Sequence, residues 1–329
     1  MTSNSSLVIR QKIINALINA DFCSGELLGQ QFGISRAAIA KHIKCLMAMG
    51  IDIFSVTGKG YRLAQPIKLL EAATIQKLLQ AKCCDISFEL HSIIDSTNDQ
   101  LLQNLSSGLT DGYTCIAEYQ TAGRGRRGRQ WISPFASHIY LSMYWPLQQG
   151  MAEAMGLSMV SALAIADAIR TVSGLSAQLK WPNDVYLSGK KLAGVLIELE
   201  SQAQEFQHSV IGIGLNIAMP APSAEQITQP WTDLNSETGR IIDRNLLVAE
   251  LIFSLTNRLQ QHQKQGIGPL LVEWHKQDLF LNRHVKLITG QQQTQGIYRG
   301  VNEQGALLLE IDGATKVFYS GEVSLRAVV

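Results

Sequence analysis

No stretch of this 329-residue sequence is apolar for long enough to cross a bilayer. The most apolar helix-like run, Ala154 to Ala166, stops well short of the ~20 residues a membrane helix needs. The N-terminus does not read as a secretory signal, because Arg10, Lys12 and two asparagines interrupt its apolar stretch. Cysteine is scarce. Cys23, Cys45, Cys83, Cys84 and Cys115 contain no C-x-x-C pair, and their number is odd. That excludes a disulfide scaffold and a zinc framework, fits a reducing compartment, and leaves no residue assigned as a metal ligand. A net charge of +1 excludes a polyanion binder acting with its whole surface. Internal repeats, low-complexity segments and a Walker A phosphate loop are all lacking. The cytoplasm is the expected location, with no membrane partner.

What is present is a full-sized globular chain. Its length suggests two or three domains, and an apolar content of 46% supplies their cores. Charge is unevenly spread. Residues 1–65 hold seven Lys/Arg against three Asp/Glu, and the remainder is slightly acidic. A small basic module on a neutral body is a nucleic-acid-binding pattern.

Residues 1–65 read as three helices and a hairpin. Val8 to Asn19 has helical periodicity, Ser24 caps a second helix, and Ser35 caps a third. Ile39, Ile43 and Leu46 share one face of the third helix. Ala37, Ala40, Lys41 and Lys44 point away from it. Ile51 to Val56 and Tyr61 to Leu63 flank a turn that carries Lys59. Three helices and a basic hairpin predict a winged helix-turn-helix, with Ser35, Arg36, Ala37, Lys41, Lys44 and Lys59 as candidate DNA contacts. A small helical interaction domain would also fit the helices. Ala64-Gln65-Pro66 predicts a linker.

The most distinctive stretch is Gly123-Arg124-Gly125-Arg126-Arg127-Gly128-Arg129, four guanidinium groups and three glycines in seven residues. Strand-like runs at Tyr113–Tyr119 and Ile139–Trp145 place it between two strands of a sheet. Glycine permits close backbone approach to a ligand, and arginine pairs its N–H groups with carboxylate or phosphate oxygens. The stretch matches G-x-G-x-x-G, but a dinucleotide site needs a helix next, and Trp131 to Pro134 break one. A nucleic-acid patch or a solvated basic turn would also gather arginines in this way. Three glycines and four like charges further predict a loop that an anion would order.

Further polar groups cluster at strand ends. Asp95-Ser96-Thr97-Asn98 closes a strand before a helix expected from about Asp99. A long apolar helix is expected over Ala152 to Val172. Lys180-Trp181-Pro182-Asn183-Asp184 turns the chain, and a hairpin tip with Lys190 and Lys191 leads into an apolar strand. On residue type alone either one fits a solvated turn lysine as well as a ligand contact. Gly212 and Gly214 sit inside a strand, where glycine marks close approach of a ligand. Met219 to Pro230 reads as an irregular loop closed by Trp231, and helices are expected at about Asn245–Gln263 and Pro269–Trp274. Residues 276–329 alternate as short strands with glycine turns.

Ser96-Thr97-Asn98, the glycine–arginine loop with Trp131, Lys180 to Asp184, Lys191-Leu192-Ala193-Gly194 and Gly212-x-Gly214-x-Asn216 occur in the order and spacing of biotin protein ligases. With the winged helix in front, residues 5–327 closely resemble the bacterial ligases that also repress the biotin operon. The resemblance implies an α+β chain. It divides into a winged helix-turn-helix at 1–65, a mixed-sheet ligase domain of the biotin/lipoate type at 66–275, and a small SH3-like barrel at 276–329.

It also implies the chemistry. Biotin and ATP, with Mg²⁺ as counterion, give biotinyl-5′-AMP, and the biotinyl group passes to a lysine of a biotin carboxyl carrier protein. With the adenylate as corepressor, such proteins dimerise and bind operator DNA. By the family's pattern Ser96, Thr97, Asn98 and Gln120 would read the biotin head, and Gly194, Gly212 and Gly214 would leave room for its rings. Trp131 and Gly125 belong to the biotin side. Arg124, Arg126 and Lys191 would meet the carboxylate and phosphate, and Asp184 would orient the incoming amine. Arg129, Lys180, Asn183, Asn216, Trp231 and Arg326 would serve ATP or the adenylate, though Trp231 would equally suit a plain anchor for its loop and Arg326 the acceptor. The loop after Asn216 has no basic residue until Arg240, so no phosphate contact is assigned within it. A lipoate-type ligase and a ligand-responsive repressor without ligase activity are the competing functions.

Overall fold

The computed structural model describes every residue except 1, 149, 203–204, 290–291, 320–322 and 328–329. Three helices open the chain: α1 (Thr2–Ile18), α2 (Gly25–Phe32) and α3 (Arg36–Ala48). Ser24 and Ser35 cap the second and third, each accepting a backbone N–H from its helix's first turn. Ile13, Ile14, Leu17, Leu28, Ile39, Ile43 and Leu46 meet in one core. Strands β1 (Ile53–Val56) and β2 (Gly60–Leu63) form the antiparallel wing.

Just beyond the expected linker the chain is tied to the large domain. Arg244 donates to the Lys68 carbonyl at 2.7 Å and to Glu118 Oε2 at 2.6 Å, and Glu118 also accepts from the Leu70 amide. Helix α4 (Ala72–Ala81) then leads into a seven-stranded sheet. Its strands are β3 (Phe88–His91), β4 (Thr114–Ala117), β5 (His138–Pro146), β6 (Gln178–Lys180), β7 (Asp184–Leu187), β8 (Lys190–Gln202) and β9 (Glu205–Asn216). Their order across the sheet is β3-β4-β5-β9-β8-β7-β6. Only β3 and β4 run parallel, so the sheet is mixed, as expected.

Period-two alternation gives the sheet two different faces. Leu141, Met143, Ile211 and Leu215 face the main core, with helices α7 (Leu157–Ser173) and α10 (Arg244–Gln265) packed there. Ser142, Gly212, Gly214 and Gly194 alternate with them and face the other way. Helix α5 (Thr97–Gln103) lies on that second face against β4, β5 and β9. The single helix expected over Ala152 to Val172 is two, α6 (Met151–Ala154) and α7. Gly156 separates them at φ +88°, where an added Cβ would strike Ile267 at 2.5 Å. Between β9 and α10 the chain has a single turn, α8 (Ala221–Ala224), and α9 (Leu234–Thr238), and α11 (Gly268–Gln277) follows α10.

The last residues form a five-stranded antiparallel sheet. Its strands are β10 (His284–Thr289), β11 (Gln292–Val301), β12 (Leu307–Ile311), β13 (Ala314–Phe318) and β14 (Val323–Ala327). Trp181 Nε1 donates to the Gly305 carbonyl at 3.0 Å, which ties this sheet to the β6–β7 turn. Among the described residues no helix is long and apolar enough to cross a membrane.

Candidate functional site

A cleft lies on the α5 face of the large sheet, under the glycine–arginine loop. Its floor is β5, β9 and β8, where Ser142 pairs with Gly212 and Gly214 pairs with both Tyr140 and Gly194. A Cβ on Gly212 would sit 2.3 Å from Asn98 Oδ1, and one on Gly214 would sit 2.3 Å from the Trp131 indole. Gly194 has Trp131 and Lys191 at 3.3 Å. The glycines therefore admit two side chains, Asn98 and Trp131, into space that the family resemblance alone reserves for biotin's rings.

One end of the cleft is a web of neutral polar groups. Ser96 caps α5, so it serves the helix as well as lining the cleft, and the helix starts two residues earlier than expected. Gln120 Oε1 accepts from the Thr97 amide at 3.0 Å and from its hydroxyl at 3.2 Å. Gln120 Nε2 reaches Ser133 Oγ at 3.3 Å. Trp131 Nε1 is buried and has no hydrogen-bond partner among the described residues. A donor of this kind calls for an acceptor, since leaving it unmet costs about 1–3 kcal/mol.

The other end is charged. The loop is a tight excursion: Trp131 N–H donates to the Gly123 carbonyl at 2.9 Å and Gly125 N–H to the Arg129 carbonyl at 2.7 Å. Arg127 at φ +61° and Gly128 at φ +69° make its tip. Arg126 donates to Asn183 Oδ1 at 2.8 Å. Burial lowers its pKa, Asp184 opposes that, and Arg127 and Arg129 add to it. Lys191 Nζ stands 2.7 Å from Asp184 Oδ1 and 5.7 Å from the Trp131 ring centre. Lys180 is buried, 3.1 Å from Tyr186 Oη; of the two hairpin lysines, Lys190 is exposed and Lys191 is largely buried. Arg129 is exposed at the rim.

Ser96, Thr97, Asn98, Gln120, Arg124, Gly125, Arg126, Arg129, Trp131, Lys180, Asn183, Asp184, Lys191, Gly194, Gly212 and Gly214 all line this one cleft. Asn216 and Trp231 are not among the residues that line it. Asn216 Nδ2 donates to the Thr232 carbonyl at 3.1 Å. Trp231 pairs with Lys191 as an isolated bridge, flanked by Lys191 N–H to Pro230 O at 3.1 Å and Thr232 N–H to Lys191 O at 2.9 Å. The strand-mouth lysine and the closing loop are thus one unit. Gln229 lines the cleft from that loop, and no local pattern marks it. Arg326 lies on β14 opposite Lys286, and its side chain is outside the described residues.

On the N-terminal module Ser35, Arg36, Ala37, Lys41 and Lys44 are exposed along α3. Lys59 is exposed at the wing, 5.6 Å from the Phe22 ring centre. The HTH domain family matches residues 9–62, the Biotin/lipoate A/B protein ligase family residues 90–216, and the Biotin protein ligase C terminal domain residues 280–326. The bifunctional ligase/repressor BirA of Escherichia coli is 47% identical over 316 residues, 96% of this chain and 97% of that protein. This chain belongs to the bifunctional ligase/repressor family. A biotin–[acetyl-CoA-carboxylase] ligase of Paracoccus denitrificans is 34% identical over 238 residues, 69% of this chain and 98% of its own length. The solved biotin protein ligase from Aquifex aeolicus in complex with biotin and ATP superposes with a TM-score of 0.64 at 29% identity. It covers 74% of this family member and 99% of that chain. The expected architecture stands: a helix-turn-helix module, a mixed-sheet ligase domain and a C-terminal antiparallel domain of the SH3-like kind.

Proposed function

We propose that the cleft activates biotin with ATP and transfers it to a lysine of the biotin carboxyl carrier protein of acetyl-CoA carboxylase. One observation carries the reading. A web of amide and hydroxyl groups and a cluster of fixed cations share one cleft floored by three glycines. The web at Ser96, Thr97, Asn98 and Gln120 suits the ureido head of biotin, whose N–H and C=O groups need both donors and acceptors. The orphan Trp131 Nε1 supplies a further donor on the biotin side.

The first step brings a carboxylate to a triphosphate. A biotin carboxylate oxygen bonds to the α-phosphorus as the bond to pyrophosphate breaks. Charge builds on the phosphoryl oxygens, and fixed cations stabilise it without needing a nucleophile from the protein. Lys191 and Arg126 stand where the two anions would meet, with Asn183 holding the Arg126 guanidinium. Arg129, Lys180, Asn216, Trp231 and Arg326 serve the ATP or adenylate end. In the second step the carrier's lysine amine bonds to the biotinyl carbonyl carbon, and AMP leaves with the bonding pair. Asp184 orients that amine and takes up its proton once Lys191 has turned to the ligand.

Mg²⁺ arrives with the triphosphate. Asp184, which lines the cleft, and Asp99 and Glu198, which lie outside its lining, are each ion-paired to Arg124 or Lys191. Engaged in this way, they do not form a vacant oxygen cage.

The N-terminal module binds operator DNA of the biotin operon with α3 in the groove and the wing alongside. Biotinyl-5′-AMP acts as corepressor and promotes a homodimer that reads two half-sites. Division at 65/66 and 275/276 separates the three modules, and the reaction runs in the cytoplasm. A lipoate-type ligase would not need the glycine–arginine loop. A repressor without ligase activity would not need the Lys191–Asp184 pair.

Mixing the protein with biotin and MgATP, and following pyrophosphate release, tests the reading. Release must require biotin, and label must then pass to carrier protein. No biotin-dependent release would reject it.

A further inference from the structure

Three polar groups outside the cleft lining but bonded to it have no place in the chemistry above: Asp99 on α5, Ser142 on β5 and Glu198 on β8. Each is joined to the biotin end through Arg124 or Asn98. Arg124 forks onto Asp99, with Nη1 to Oδ2 and Nη2 to Oδ1 both at 2.5 Å. Its Nη2 also reaches Glu198 at 3.1 Å and 3.3 Å. Glu198 Oε2 accepts from Asn98 Nδ2 at 2.6 Å. Asn98 Oδ1 lies 2.5 Å from Ser142 Oγ, which is 2.7 Å from Thr97 Oγ1.

We infer that Asp99 and Glu198 are positioning residues for biotin: they pin Arg124, and with it the near limb of the glycine–arginine loop, before ligand arrives. The inference rests on the reading of the cleft as a biotin site.

The geometry argues for this in two ways. A guanidinium forked onto one carboxylate and touching a second has most of its donors engaged. It cannot present the same face to a ligand anion without breaking both pairs. Two carboxylates hold Arg124, one of them by a fork, against the single contact of Lys191 with Asp184, so the anion falls to Arg126 and Lys191 and Arg124 becomes a strut. The fork raises the Arg124 pKa, with the Asp99 hydrogen bond the largest cause, so its charge is constant at any working pH.

The second argument concerns order. Three glycines and four like charges would scatter an unanchored loop over many conformations. Asp99 follows directly on Ser96-Thr97-Asn98, so the fork fastens the loop to the helix that carries the biotin-reading groups. Glu198 faces the same side of its strand as Leu196 and Gly194, and it sets the Asn98 amide through the same ion pair. With residue 124 fixed, biotin needs to order only residues 125–129. Cutting the ordering cost raises affinity without any new contact.

The test uses the full chain with Asp99→Asn, Asp99→Glu and Glu198→Gln. Biotin binding is measured by calorimetry, and pyrophosphate release by steady-state kinetics. Asp99→Asn is expected to raise the Kd and KM for biotin about tenfold. The KM for ATP, and kcat at saturating biotin, should stay within about twofold of wild type. Trypsin should cut the unliganded variant faster at residues 124–129, while the Tm is unchanged. Asp99→Glu restores the carboxylate and should recover most of the biotin affinity. Glu198→Gln gives an independent reading and should show the same split.

Unchanged biotin affinity in both amide variants would overturn the inference, and so would a fall in kcat at unchanged biotin affinity. Wild-type protein that failed to bind biotin would overturn the reading of the cleft itself.

Discussion

Lys191 Nζ and Asp184 Oδ1 are 2.7 Å apart, and both side chains are more than four-fifths buried. The two residues come from adjacent strands: Asp184 opens β7, and Lys191 is the second residue of β8. The pair stores a cation at the charged end of the cleft, neutralised until an anion competes for it. An ion pair of this kind is weak evidence for stability and better evidence for a poised group.

Lys191→Ala should therefore slow adenylate formation by about 10²–10³, or about 3–4 kcal/mol of transition-state stabilisation. Single-turnover pyrophosphate release checks it, with the Tm as a control for folding. A rate within about threefold of wild type would return Lys191 to the status of a turn residue.

Gly214→Ala should weaken biotin binding while leaving the sheet intact. The added methyl would lie 2.3 Å from the Trp131 indole, so the ring must move. The backbone conformation at 214 is one alanine can adopt. The expected loss is about 1–3 kcal/mol, typical of overpacking, or about 10–100-fold in Kd. Tryptophan fluorescence should shift even without ligand. An unshifted spectrum with normal binding would mean the ring has slack that the contacts do not suggest.

Stability should fall as pH drops through the range of histidine. His138 is fully buried on β5, and burial pushes its imidazole down to about 4. In the unfolded chain the group titrates near ~6.5. Between those values the unfolded state holds the proton and the native state does not, so stability rises with pH across that window. The expected loss is about 2 kcal/mol between pH 7 and pH 5. Nδ1 lies 3.0 Å from the Ile217 amide and 2.8 Å from the Ser137 carbonyl; the carbonyl favours a proton there, but burial outweighs it. Urea unfolding at several pH values checks this, and His138→Asn should flatten the dependence.

Lys41→Ala and Lys44→Ala should each weaken operator binding and flatten its salt dependence by about 1 in log–log slope. Both side chains are exposed on α3, one turn apart, opposite Ile39, Ile43 and Leu46. An unaltered slope in the double variant would remove α3 from the groove.

Biotinyl-5′-AMP should shift the protein toward dimer in sedimentation, and carrier protein should reverse the shift and release DNA. Ordering of the loop beyond Arg124, and of the segment bridged to Lys191 at Trp231, supplies a surface that the empty protein lacks. Carrier bound to an intact liganded dimer would show that the two partners use different surfaces.

The winged module is legible in the sequence because its signals are local. Serine caps sit one residue before the second and third helices, and the apolar faces repeat every three or four residues. The cleft is legible in its residues, since the glycine–arginine loop, the strand-interior glycines and the lysine at the strand mouth are short motifs. What joins them is not. Arg124 and Glu198 are 74 residues apart, and nothing near either one announces the other. Gly156 breaks an apolar run that reads as one helix, and the reason, Ile267, lies on a distant turn. Gln229 and the bridge from Trp231 to Lys191 depend equally on tertiary contact.

Phe135 belongs to the ligase half by sequence but is buried at 3% exposure in the core of the winged module, beside Ile39, Ile43 and Leu46. Its amide donates to the Met49 carbonyl at 2.9 Å, and Gly50 presses on Pro134 so closely that a Cβ there would stand 3.0 Å from the proline ring. Four residues back along the chain is Trp131, on the floor of the cleft, at most about 14 Å of extended backbone away. Cutting the protein at residue 65 is for that reason not a neutral excision. It strips the cover from a phenylalanine whose burial is worth about 1.5–3 kcal/mol. It also loosens the far end of the strip that begins at Trp131. A ligase trimmed of its DNA-reading module is therefore expected to differ from the intact chain at its biotin pocket as well as in DNA binding.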